Sequence, residues 1–261
     1  MGGLEFSLIG WVVLVSAALA VGIAKTSIGG LGALAVAGFA MFIPARESTA
    51  AVLLILIIGD LVAVGLYRRS ADWSMLRRLL PAVLPGIAAG ALVMAFIDDR
   101  TMTVLIAVCI LVAFGIQIVM RRRQSRVPAV EPDISHTPTR PHRAATVGTG
   151  LAAGFTTMVA NAAGPVMALY LLAIRADKMR FVGTNAWYFL IVNVAKVPFS
   201  AGLGLMSTQT LWLTLTLAPA VLVGTWFGRR LLGRLPQRRF EQFTLTASLV
   251  AGVVLLIRAI V

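Results

Sequence analysis

Lys25, Thr26 and Ser27 stand together in "GIAKTSIGGLG" (residues 22–32), between the apolar runs "FSLIGWVVLVSAALAV" and "ALAVAGFAMFI". A second small-residue break, "GFTTMVANAAG" (154–164), supplies Thr156, Thr157 and Asn161. An ammonium, hydroxyls and an amide are donors for the several oxygens of a small oxyanion. Broken helix ends add unpaired backbone N–H groups and a positive dipole end, which also suit an anion. A third polar group lies in "NAWYFLIVNVAKVPF" (185–199), where Asn185, Asn193 and Lys196 recur at helical spacing. Spacings of eight and three keep these residues within about 80° of one another on a helix. The matching place earlier in the chain holds Asp60, within "LILIIGDLVAVG".

Each of these residues also has a plainer role open to it. A lysine in mid-membrane costs roughly 2.5–3.5 kcal/mol on insertion scales, so it is either used or it snorkels to the surface. Lys25 and Lys196 both carry that alternative. The hydroxyls and amides can serve as interhelical hydrogen bonds. Asp60 is a counter-ion to Lys25 or Lys196, or a proton carrier. Catalysis is not indicated: His136 and His142 both fall in a proline-rich stretch, and Cys109 lies inside an apolar one. No nucleophile–base pair or metal-ligand spacing accompanies them, so neither an enzyme nor a metal or other cofactor is expected.

The elements that must hold these residues are membrane helices. Of 261 residues, 59% are hydrophobic and 13% charged, with a mean hydropathy of +0.92. A soluble domain would be about a quarter charged. Ten apolar segments are expected, near 6–24, 29–43, 48–67, 79–97, 101–120, 145–160, 163–174, 181–200, 209–228 and 240–260. Segments 29–43 and 163–174 are short for a core of about 30 Å, which suggests helical hairpins with buried tips. The first segment lacks a basic region before it and reads as part of the mature protein rather than a signal peptide.

The net charge of +13 fits lipid topology better than nucleic acid, because 18 of the 23 Lys and Arg fall in four short stretches. These are 68–78, 121–143, 175–180 and 229–239, and the positive-inside rule makes them cytoplasmic. Tyr67 and Trp73, beside the first of them, read as interfacial anchors.

The two halves resemble each other. "PAVLPGIAAG" (81–90) matches "PAVLVGTWFG" (219–228) at six of ten positions, and "LAVG" (19–22) matches "LAAG" (151–154). Gly86, Gly90, Gly224 and Gly228 then form small-xxx-small faces for close helix packing. Segment 48–67 runs toward a basic loop, whereas 181–200 starts from one, so the copies cross in opposite directions. Hence the expected fold is an all-α polytopic membrane protein of two inverted-topology repeats, about five helical segments each. The first two segments of each half form a broken or re-entrant hairpin. The repeats occupy 1–120 and 145–261, joined by a Pro/Arg-rich cytoplasmic linker at 121–144. Such repeats place a substrate site near the midplane, between the halves.

Glycine-rich breaks in both halves, "IGDLVA" before a short basic loop with "DW", and "LLPAVLPGIAAGALV" together resemble the TauE/SafE sulfite exporter family. The resemblance runs from about residue 8 to 258; Lys25-Thr26-Ser27 departs from the family's glycine-richer first break. It implies a multi-pass carrier of the bacterial inner membrane for sulfite, sulfonates or related organosulfur anions. Its partners would be that anion, the lipid bilayer and, as a homodimer, a second copy of the chain. Lys25, Thr26, Ser27, Thr156, Thr157, Asn161, Asn193 and Lys196 are the candidate substrate contacts, with Asp60 for coupling or charge pairing. Export by alternating access is the leading expectation; an anion channel, or a proton-coupled importer of another organic anion, are the alternatives.

Overall fold

The computed structural model describes residues 6–26, 32–126, 143–164, 166–167 and 178–231, with scattered positions between 246 and 257. Every regular element among them is helical. In order these are α1 (Leu8–Thr26), α2 (Gly32–Ala40), α3 (Ala45–Tyr67), a 3-10 turn (Arg68–Ser70), α4 (Trp73–Phe96) and α5 (Asp99–Arg126). After the linker come α6 (Arg143–Ala160), α7 (Lys178–Gly202) and α8 (Thr208–Leu231). Among the described residues, five stretches are long and apolar enough to cross a bilayer: Leu8–Thr26, Ala45–Ser70, Trp73–Phe96, Asp99–Ile116 and Thr208–Arg230. The 25-residue α7 has the length as well, but it carries Lys178, Arg180 and Lys196. The segment expected at 163–174 and the last one at 240–260 lie largely outside the described residues, as do the central linker residues 127–142.

Local chemistry sets the helix ends. The Asp72 carboxylate accepts the Met75 N–H at 3.1 Å and caps α4, and Asp98 does the same for Thr101 at 3.0 Å at the head of α5. The Thr101 hydroxyl and N–H hold the Asp98 carboxyl below its usual range. Glu47 sits in the first turn of α3, where the helix dipole favours an acid. Pro81, Pro85, Pro198 and Pro219 lie inside helices, a placement that helices packed in a membrane tolerate.

α1 and α2 form a hairpin. Phe42, just beyond α2, returns to Gly10 near the start of α1, and Gly38 lies against Ala17 and Val13. α2 has nine residues, about 14 Å at 1.5 Å per residue, roughly half a bilayer core. α6 ends in the second break. Asn161 is left-handed, with φ 50°, and its N–H and that of Ala162 fold back onto the Thr157 and Thr156 carbonyls. Asparagine is among the few non-glycine residues that enter this region readily.

The closest helix crossings join the two halves. A Cβ on Gly22 of α1 would run into the Val221 carbonyl of α8, and one on Gly224 into the Leu19 carbonyl. The same contact occurs a second time: Gly154 of α6 lies against the Val83 carbonyl of α4, and Gly86 against that of Leu151. Gly22 aligns with Gly154 and Gly224 with Gly86, so the first helix of each half packs on the fourth helix of the other.

Between these crossed pairs α3 and α7 lie side by side and antiparallel. Beyond the end of α3, Ser70 packs on Gly183, and Trp187 donates to the Arg68 carbonyl at 3.4 Å, near the start of α7. Arg180 and Asp72 pair at 3.1 Å at the same end, where the Trp73 and Trp187 rings meet at 4.9 Å. Trp73 is half exposed, as an interfacial anchor would be, whereas Tyr67 turns inward to the Thr26 carbonyl at 3.2 Å.

Candidate functional site

The polar residues of four helices and one helix break meet inside this bundle. Lys25, in the last turn of α1, forms an ion pair with Asp60 of α3 at 2.6 Å. Its ammonium also lies 4.4 Å from the centre of the Phe189 ring on α7, a cation–π contact. The other Asp60 oxygen accepts from the Asn193 amide at 2.7 Å. Asn193 in turn receives the Lys196 ammonium on its carbonyl oxygen at 3.4 Å. Lys196 completes its set with the Asn161 side-chain oxygen and with the Thr157 hydroxyl at 3.4 Å. Asn161 closes the chain by donating to the Thr49 carbonyl of α3 at 3.1 Å.

The result is one continuous polar network, Lys25–Asp60–Asn193–Lys196–Asn161, running from the break of the first half to that of the second. It is enclosed: Lys196 and Asn193 are each 1% exposed and Asp60 0%, and the Lys25 side chain is 10% exposed. Neither lysine snorkels. Each is turned inward and held by partners that suit a positive charge, three oxygens for Lys196 and a carboxylate plus a ring face for Lys25.

Among the described residues the cluster holds two ammonium groups and a single carboxylate, a formal surplus of one positive charge. A buried ion pair must offset a desolvation cost of several kcal/mol per ion even when the charges balance. In formal charges, one bound monoanion would balance the cluster.

Other expected contacts point elsewhere. Thr26 is fully buried, but its hydroxyl donates to the Thr225 carbonyl at 3.0 Å and to the Gly22 carbonyl, fastening α1 to α8. Thr156 bonds back to the Ala152 carbonyl of its own helix at 2.7 Å. Ser27 lies outside the described residues. Asn185, on the same α7 face as Asn193, is partly exposed.

Two participants went unnoticed in the sequence. Phe189 precedes Asn193 by four residues, so the helical face that carries Asn193 and Lys196 already pointed to it. Tyr188 meets Phe189 edge-on at 5.2 Å, and its hydroxyl is buried with no hydrogen-bond partner among the described residues. Nothing in its apolar flanks signalled that. Cys109 is a buried apolar contact of α5.

A bundle of apolar helices that encloses a charged polar network between two related halves has the anatomy of a membrane transporter. The family comparison makes this specific: the model of the Sulfite exporter TauE/SafE family matches residues 14–255. The chain belongs to that family, whose members are membrane transporters rather than enzymes. The comparisons with curated proteins and with solved structures each returned no match.

Proposed function

We propose that this protein exports a small sulfur-containing anion, sulfite or a sulfonate, across the bacterial inner membrane by alternating access. The observation that carries this reading is the buried network in which Lys25 pairs with Asp60 and Lys196 is linked to it through Asn193. An oxyanion with several acceptor oxygens can replace neutral oxygens around Lys196, or the carboxylate at Lys25, and balance the surplus charge. Lys25, Thr157, Asn161, Asn193 and Lys196 are the proposed contacts, and Asp60 the charge partner. Thr26 and Thr156, bonded to helix carbonyls, would act at most indirectly, by shaping the helices around the site.

Several features support alternating access. The antiparallel lie of α3 and α7, and the repeated glycine crossings, fit two inverted repeats that rock about a shared site. The basic ends of α3 and α7 lie together, which fits a cytoplasmic linker on that side. Direction follows from charge. An inside-negative potential drives each negative charge outward by about 2.3 kcal/mol per 100 mV, so efflux needs no coupling ion.

The test is flux of radiolabelled sulfite and methanesulfonate in proteoliposomes under an imposed potential, comparing the parent with Lys25→Ala. The parent should move at least one of them toward the positive side. The variant should lose about tenfold or more, the equivalent of one strong charged hydrogen bond. Equal flux from both proteins removes Lys25 from the site, and ohmic single-channel currents in planar bilayers would make the protein a channel.

A further inference from the structure

A carrier that moves an anion one way must also return with its site empty. Enclosing two ammonium groups without an anion is costly, because each buried charge forfeits its hydration. The site is closed around both lysines, with Lys196 1% exposed and the Lys25 side chain 10%. What neutralises Lys25 there is Asp60, at 2.6 Å, held in place through its other oxygen by Asn193 at 2.7 Å.

We infer that Asp60 is a built-in counter-anion that occupies Lys25 during the empty return, making the protein a net transporter rather than an obligate exchanger. This rests on the anion-site reading above. Formal charges show why. With Asp60 the cluster carries +1 when empty and 0 with one monoanion bound, since Lys25 and Lys196 contribute two positive charges. Without the carboxylate those values become +2 and +1.

The occupied site of an Asp60→Asn variant thus carries the same charge as the empty parental site, which a net transporter must return. Only its empty site exceeds that charge. Loss of the carboxylate therefore blocks the empty return and leaves the loaded crossing open. When the anion takes Lys25, the parental Asp60 keeps the Asn193 amide and has the Lys196 ammonium just beyond it, 3.4 Å from the Asn193 carbonyl oxygen. Its charge is then still compensated, without a proton having to bind.

The experiment measures two rates in proteoliposomes loaded with radiolabelled methanesulfonate, a monoanion. One is net efflux into anion-free medium; the other is exchange against external unlabelled methanesulfonate, with sulfite as a parallel probe. For the parent, exchange should exceed net efflux by no more than a few-fold. For Asp60→Asn, net efflux should fall by about tenfold or more relative to exchange, as expected for burying an uncompensated charge. Asp60→Glu, which restores the carboxylate, should move that ratio back toward the parental one.

A parent whose exchange outruns net efflux by about tenfold contradicts the inference, because its own empty return would then be the obstacle. So does a folded Asp60→Asn protein with the parental ratio, or one silent in both modes. If Asp60→Asn does not fold, the parental ratio decides alone. Failure of the parent to carry either probe would instead count against the anion-site reading itself.

Discussion

At the scale of single residues, Asn193 is the joint of the site. Its amide donates to Asp60 and its carbonyl oxygen accepts from Lys196, so one side chain links both charges of unlike sign. Replacement by alanine leaves a buried carboxylate oxygen and an ammonium proton each short of a partner. Asn193→Ala should therefore destabilise the protein by about 1–3 kcal/mol, measured by unfolding in detergent. An unchanged midpoint would mean that water or backbone takes over both bonds. The sequence made the polar residues visible, because charged and amide side chains stand out in apolar runs. It did not disclose the pairing. Asp60 had two lysines within plausible reach, and only the packing of α1 against α3 brings Lys25 to it. Adjacent residues on a helix also point about 100° apart. That rotation separates Thr157, in the network, from Thr156, and Lys25 from Thr26.

At the scale of elements, the glycines set how near the helices come. Gly86 and Gly154 lie where α4 and α6 touch backbone to backbone, and Gly22 and Gly224 do the same for α1 and α8. Any larger side chain must push a whole helix away, since a carbonyl cannot rotate aside as a flexible side chain does. Gly86→Leu should cost more than the about 1–3 kcal/mol typical of overpacking, and should reduce the yield of folded, monodisperse protein. Gly65 of α3 has no atom of the described residues within 4 Å of an added Cβ, so Gly65→Ala should change stability by no more than about 1 kcal/mol. Equal behaviour of the two variants would show that the crossing is not tight. These packing faces were legible from the i, i+4 spacing of Gly86 with Gly90 and of Gly224 with Gly228. Their partners were not, because each face meets a helix from the other half, more than sixty residues away in sequence. Helix bounds were read closely for α3, whose 45–67 compares with the expected 48–67. The reading was poorer for α5, which continues through the arginines to Arg126, as charged residues beyond a membrane surface can still be helical.

At the scale of the whole molecule, helices from both halves of the chain close around one charge network. The order of basic loops suggested that the halves run oppositely, since lipid topology leaves its record in composition. In the crossed packing neither half encloses the network alone, because Lys25 and Asp60 come from the first and Asn161, Asn193 and Lys196 from the second. Under the proposed alternating access, mirrored movements of equivalent helices would open such a site from either side. The opposed halves are tested most directly by single-cysteine labelling in a Cys109→Ala background, with membrane-impermeant maleimide applied to intact cells and to inverted vesicles. Ser74, exposed at the head of α4, and Thr208, exposed at the head of α8, head equivalent helices of the two halves. Inverted halves require Ser74→Cys to react only from the cytoplasmic face and Thr208→Cys only from the outer one. Reaction of both from the same face would contradict the inversion, and with it the shared midplane site.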